Sequence, residues 1–248
     1  MQRFQFCLTM ALMVSLMIGS ICYAGGIEPI PSLNNILHSS IPDKNNSPAT
    51  QEMEYSIKKF YYQIQYQDQK LQLLNEVKGH FETSISKAEE KYDEGEEDIS
   101  QSNITKLKLG LAGTLNDIFG VEADLQISRL SLFEILKSEY DPEAELLEPN
   151  ISPVEFDFAD YLDWSGQGSE LSRNISLKKA FLRVVEAKKK MLLVGKNRKI
   201  TRALLVSEVA NYDFGIGDSA DLFQALIIYT RVLSGYYDSV YKFNLSVA

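Results

Sequence analysis

Apolar residues recur at helical spacing in four long stretches of this chain. In the first, Ile57, Tyr61, Ile64, Leu71, Leu74, Phe81, Ile85, Ala88 and Tyr92 step by three, four or seven positions. Asp68 and Lys78 occupy the missing slots, with Val77 beside the second. This period predicts a long amphipathic helix with a coiled-coil seam, beginning near Gln51. A second seam runs Ile104, Leu107, Leu111, Leu115, Ile118, Val121, Leu125, Leu132 and Ile135. A third runs Leu177, Phe181, Val184, Met191, Leu205, Val209 and Tyr212. The fourth, Leu222, Ala225, Tyr229, Val232, Tyr236, Val240 and Phe243, continues to Ala248 without a stop signal, so the sequence reads as cut within a helix. Two seams joined by a few residues around a glycine predict an antiparallel helical hairpin. The expected fold is all-α: two long hairpins, 51–137 and 175–248, packed as a coiled four-helix bundle.

The intervening segments lack that period. Residues 25–50 are rich in Pro, Ser and Asn and read as an extended leader. Residues 138–174 are acidic, are punctuated by Pro142, Pro149 and Pro153, and read as an irregular connector. Within it Val154, Phe156 and Phe158 alternate with Glu155 and Asp157, which predicts one short strand.

The two expected reversals repeat a phrase. Lys91–Asp98 reads KYDEGEED and Asn211–Asp218 reads NYDFGIGD, with Tyr, Asp, Gly and Asp in the same four places. Each copy closes one seam and opens the next, so the chain reads as an internal duplication. Gly95 and Gly215 supply the backbone freedom that a reversal needs, with a positive φ expected at Gly215. Asp98 and Asp218, three residues further on, are placed to cap the returning helices.

Composition narrows the context. The first 24 residues, one Arg followed by an apolar run and Cys22-Tyr23-Ala24, have the form of a secretory signal peptide. Both cysteines, Cys7 and Cys22, lie inside it, so the remaining chain has no disulfide, thiolate ligand or cysteine nucleophile. Without Arg3 the net charge is −10, which argues against nucleic acid as a partner. No later apolar run has the length of a membrane-spanning helix.

Three features invite a chemical reading. Gly215-Ile216-Gly217-Asp218-Ser219-Ala220 satisfies the G-x-G-x-x-A form of a dinucleotide fingerprint. That motif must follow a strand, whereas a heptad helix precedes it here and Asp218 would set a carboxylate against phosphate, so it reads as a helix reversal. Lys178–Arg202 holds ten basic residues and one acid, Glu186. It reads as a solvated helix face, or as the complement of acidic surface on a neighbouring hairpin such as the seven acids of Glu89–Asp98. His38 and His80 are isolated, with no paired ligand spacing. The sequence thus offers no catalytic constellation, no metal site and no cofactor site, and the expectation is a non-enzyme.

The tip pattern Tyr-x-x-Gly, six residues, Leu-x-x-Ala is met by Tyr212, Gly215, Leu222 and Ala225. Together with the duplicated hairpins, the signal sequence and the tail YDSVYKFNLSVA, it resembles the TolC-like outer-membrane efflux protein family over 51–164 and 175–248. The resemblance implies a homotrimer at the cell outer membrane and periplasm of a Gram-negative-type bacterium. Its hairpins would form a periplasmic export tunnel, joined to a periplasmic adaptor protein and an inner-membrane pump. It assigns partner docking to the tips: Tyr92, Gly95, Tyr212, Gly215, Gly217, Leu222 and Ala225. The sequence departs from the family in lacking bilayer-length alternating strands, so the expectation is an outer-membrane efflux protein of this kind or a barrel-less relative of it. Its first tip also spaces Gly95 and Ile104 differently and lacks the Ala position. The rival expectation is a periplasmic coiled-coil scaffold with no role in transport.

Overall fold

The computed structural model describes residues 28–41, 47–95 and 99–248. The signal sequence read at 1–24 lies outside them. The fold is all-α: α1 (Leu33–Ser40), α2 (Pro48–Asp93), α3 (Gln101–Leu136), α4 (Tyr161–Ser165), α5 (Ile175–Asp213) and α6 (Ser219–Val247), with a 3-10 turn at Leu171–Arg173. α2 packs along α3, α5 along α6, and α2 also against α6.

The local sequence explains where each long helix starts. Ser47 accepts from the Thr50 N–H and Pro48 follows at the first helical position, so α2 begins three residues before the expected start at Gln51. Ser100 caps α3 through Asn103, Asn174 caps α5 through Ser176 and Leu177, and Asp218 caps α6 through Ala220 and Asp221. Asp218 thus takes the expected role. In the first copy the cap is Ser100, while Asp98 falls outside the described residues.

Four apolar clusters form the core. At one end Leu73, Val77, Phe81 and Ala88 of α2 meet Ile104 and Leu107 of α3, Leu205 and Tyr212 of α5, and Leu222, Leu226 and Tyr229 of α6. Leu74 packs with Ile118 and Val121 midway along. At the other end Ile57, Tyr61 and Ile64 meet Leu125 and Leu132, while Phe181, Val184 and Met191 meet Val240 and Phe243. Most seam residues are therefore core residues, but Tyr92 is exposed and Leu71, Leu111, Leu115, Ile135, Leu177, Val209, Val232 and Tyr236 are only partly covered.

Two readings of the irregular segments need correction. The 25–50 leader is not extended throughout: α1 occupies Leu33–Ser40, and Ile30 and Ile36 are buried against α2. Ser32 caps α1, and its single apolar face was too short to register as a period. The predicted strand at 154–158 does not form. Among the described residues the only β pairing is a single bridge between Ile30 and Leu146. Phe156 is buried among Phe158 and Phe181, and the backbone finds side-chain partners instead of a strand. The Asn244 carbonyl oxygen accepts from the Val154 N–H at 2.9 Å, and its amide donates to the Ser152 carbonyl at 2.8 Å. Gln65 donates to the Glu148 carbonyl at 2.6 Å, and Lys188 donates to the Phe156 carbonyl. Buried backbone polar groups must be paired, and side chains from α2, α5 and α6 pair them here. Residues 138–174 thus strap the end of the molecule opposite the two repeated turns.

Candidate functional site

The repeated phrase builds two helix ends. In the second copy the Gly215 N–H bonds to the Tyr212 carbonyl at 3.1 Å, and the Ile216 and Gly217 N–H groups bond to the Asn211 carbonyl at 2.9 and 3.0 Å. This is a Schellman closure, and it requires a left-handed residue at Gly215. Gly215 has φ 71°, as its position in the phrase implies, and Gly95 has φ 80° with the matching bond to the Tyr92 carbonyl. Gly217 is constrained by space: a Cβ there would meet the Asn211 Cβ at 2.9 Å. The G-x-G-x-x-A stretch follows a helix, and Asp218 already accepts the first N–H groups of α6, the groups a pyrophosphate would need.

The two turns lie at the same end of the molecule. Lys87 Nζ of α2 stands 2.5 Å from Asp213 of α5, and Lys108 of α3 stands 2.7 Å from Glu89 of α2. A Cβ on Gly215 would lie 3.7 Å from the Lys91 ammonium. Some basic and acidic groups near the tips are therefore paired inside the chain.

The seven tip residues divide into two sets. Tyr212, Leu222 and Ala225 are almost fully buried in the apolar cluster at this end. Burial pushes the Tyr212 hydroxyl pKa up, with the charge of Asp213 adding to it. These three are core side chains. Tyr92, Gly95 and Gly215 are exposed, and Gly217 is half-buried. The surface of this end is formed instead by Phe214 and Ile216, each 79% exposed, together with Tyr92. Sequence reasoning passed over both because they occupy the variable places of the phrase. Their signal was two large apolar residues flanking a turn glycine.

Beside this end an open groove of about 340 Å³ runs between α2, α5 and α6, lined by Glu76, His80, Arg202, Val206, Phe214 and Tyr229 among others. The Tyr229 hydroxyl lies 3.1 Å from both oxygens of Glu76. Burial, and then the Glu76 charge, push its pKa up to about 12. The contact holds a neutral phenol as the donor to a carboxylate at the wall of the groove. Among the described residues no group of three His, Cys, Asp or Glu is placed to hold a metal ion, and no helix is long and apolar enough to cross a membrane.

No family model matches the chain, and no curated protein or solved structure is similar to it.

Proposed function

We propose that the chain is a helical component of a periplasmic export assembly, a TolC-like outer-membrane efflux protein or a barrel-less relative of one. In this reading α2–α3 and α5–α6 are two antiparallel hairpins of a coiled four-helix bundle, and the shared end docks on a periplasmic adaptor coupled to an inner-membrane pump. The observation that carries it is the pair Phe214 and Ile216. They stand on either side of the left-handed Gly215, almost fully in water, at the end where both repeated turns meet. Two large apolar side chains held in water on either side of a turn glycine suit a partner surface better than a solvent turn. The resemblance in the tip phrase points to the same end.

Site-specific cross-linking tests the reading. A cysteine at Ser219 is buried, so the reporter belongs on exposed Ala220. Phe214→Asp with Ile216→Asp abolishes cross-linking to the adaptor while the helical dichroism and melting stay unchanged. Unchanged cross-linking would reduce the tip to a turn.

A second reading, a periplasmic scaffold without transport, is favoured by one specific observation. Three of the four positions of the tip motif, Tyr212, Leu222 and Ala225, serve the chain's own core. On that reading the phrase is kept for folding, and loss of the chain leaves export unaffected.

A further inference from the structure

We propose that the outer face of α5 is a peripheral docking surface for an anionic phospholipid bilayer, with the helix lying along the membrane plane. This surface is on the flank of the α5–α6 pair, away from the tips. The inference goes beyond the export reading and holds equally for a scaffold.

One face of α5 is spent on the core: Phe181, Val184, Met191, Leu205 and Tyr212 are buried, and the helix packs along α6. On the opposite side Ile175, Leu182, Leu193, Ile200 and Leu204 recur at helical spacing, so they fall on one stripe. All of them are exposed, Leu193 at 62% and Ile200 at 70%. Lys189 and Lys196 stand within the stripe, and Lys178, Lys179 and Lys199 stand along its borders, every one exposed. None of these lysines is in an ion pair among the described residues. The nearby Glu186 is already held by Arg183 at 3.0 Å and Lys190 at 2.6 Å, which leaves it no charge to offer them. From Ile175 to Leu204 the stripe is roughly 44 Å long.

Charge and pattern together select lipid as the occupant. A protein helix laid on this stripe would have to bury the Lys189 and Lys196 ammonium groups in the middle of the seam, where desolvation is costly. At a bilayer surface the same side chains lay their stems among apolar groups and end at the phosphates, while Leu193 and Ile200 enter the acyl boundary. The chain as a whole carries a net charge of −9, so lysines free of partners on one face decide which face can approach an anionic surface. The outer side of α3 makes the contrast. Its exposed Leu109, Phe119 and Ile127 are accompanied by the exposed acids Asp117, Glu122 and Asp124, which an anionic surface repels. Among the described residues no helix is long and apolar enough to cross a membrane, so the contact is peripheral.

Vesicle flotation of the full chain tests this. The wild type floats at low salt with vesicles of phosphatidylglycerol mixed with phosphatidylcholine, and high salt releases it. K189E/K196E weakens that binding at least tenfold, since each lysine near such a surface is worth about fivefold. L193D/I200D weakens it to a similar degree, and both variants keep the helical dichroism and melting of the wild type. K106E/K137E makes the same change in net charge at exposed positions of α3 and its C-cap, and binds as the wild type does. A wild type that does not float, or α5 variants that float as it does, would overturn the docking surface. So would a control weakened as much as the α5 variants, because net charge alone would then govern binding. Flotation with phosphatidylcholine alone that no α5 variant changes would assign the contact to another segment and overturn it as well. A wild type that ignores vesicles and sediments as an assembly, which the α5 variants lose, would give this face to a second copy instead.

Discussion

The Tyr212 hydroxyl donates to the backbone carbonyl of Ser84 across 3.2 Å, joining the end of α5 to the middle of α2's last turns. Its counterpart in the first copy of the phrase, Tyr92, is exposed. One duplicated tyrosine thus serves two purposes. In the second copy it is wedged between the repeats, and its hydroxyl satisfies a carbonyl inside the cluster of Phe81, Ala88 and Leu222. In the first it faces water beside the turn.

Tyr212→Phe removes the hydroxyl and leaves the ring. The expected loss is about 1 kcal/mol, that of one buried hydrogen bond, since the Ser84 carbonyl is left without this donor. Tyr92→Phe falls within about 0.5 kcal/mol of wild type. Urea unfolding followed by dichroism reads both, and equal effects would mean that the Tyr212 bond carries no stability.

The heptad seams made the four long helices legible because each seam is nearly continuous and each turn is marked by glycine. The buried polar residues were not legible from the seams. Thr114, Ser128 and Thr201 fill buried places on the helices, and each returns its hydroxyl to the carbonyl four residues earlier. Helix α1 was hidden by its length and by the Pro and Ser that flank it, since its stability comes from Ile36 docking on α2 rather than from its own pattern. The strand at 154–158 failed because alternation alone specifies a half-buried extended chain, and among the described residues there is no neighbouring strand to complete it. At the candidate site the phrase marked both turns correctly. It could not reveal which of its residues face outward, because burial of Tyr212 depends on contact with Ser84, 128 residues earlier in the chain.

Glycines inside the helices divide by space. A Cβ on Gly110 would lie 2.7 Å from the Phe81 ring and 2.9 Å from the Phe223 ring, at the point where α2, α3 and α6 approach one another. Two rings packed against the same backbone cannot both yield cheaply, so Gly110→Ala destabilises by about 1–3 kcal/mol despite the gain in helix propensity. Gly79 of α2 has open space around it, and Gly79→Ala stabilises by about 0.5–1 kcal/mol. Opposite signs in chemical denaturation are the expected outcome. A stabilising Gly110→Ala would mean that the three helices do not approach as closely there as the structure places them.

Gly215→Ala concerns the backbone rather than space. At φ 71° an L residue is strained by roughly 1–2 kcal/mol, and Gly95 at φ 80° predicts the same for Gly95→Ala. Gly215→Asn costs less, because asparagine tolerates the left-handed region. The ordering Gly, Asn, Ala in melting temperature at each turn is the check, and a flat series would show that the helix ends relax to another closure.

Alkaline pH should dismantle the core through its tyrosines. Burial pushes the hydroxyls of Tyr61, Tyr66 and Tyr229 up to about 12 from an ordinary value of 10.0, helped respectively by the charges of Glu148, Asp238 and Glu76. Tyr62, Tyr237 and Tyr241 shift in the same direction, again chiefly through burial. In each case the folded chain holds the proton more tightly than the unfolded chain does. The stability linked to these groups is therefore fully present below pH 10, and is lost as pH rises from 10 toward 12. The three most shifted tyrosines lie in different places: Tyr61 near the strapped end, Tyr229 near the tips, and Tyr66 stacked on Tyr241 with 5.6 Å between ring centres. Ionisation then reaches both ends of the molecule, so the helical signal and tyrosinate absorbance should change together in one steep step within that window. Tyr229→Phe removes one of the linked groups and makes the transition shallower. Tyrosinate absorbance that rises smoothly around pH 10 while the helices remain intact would show that these hydroxyls reach water in the folded chain.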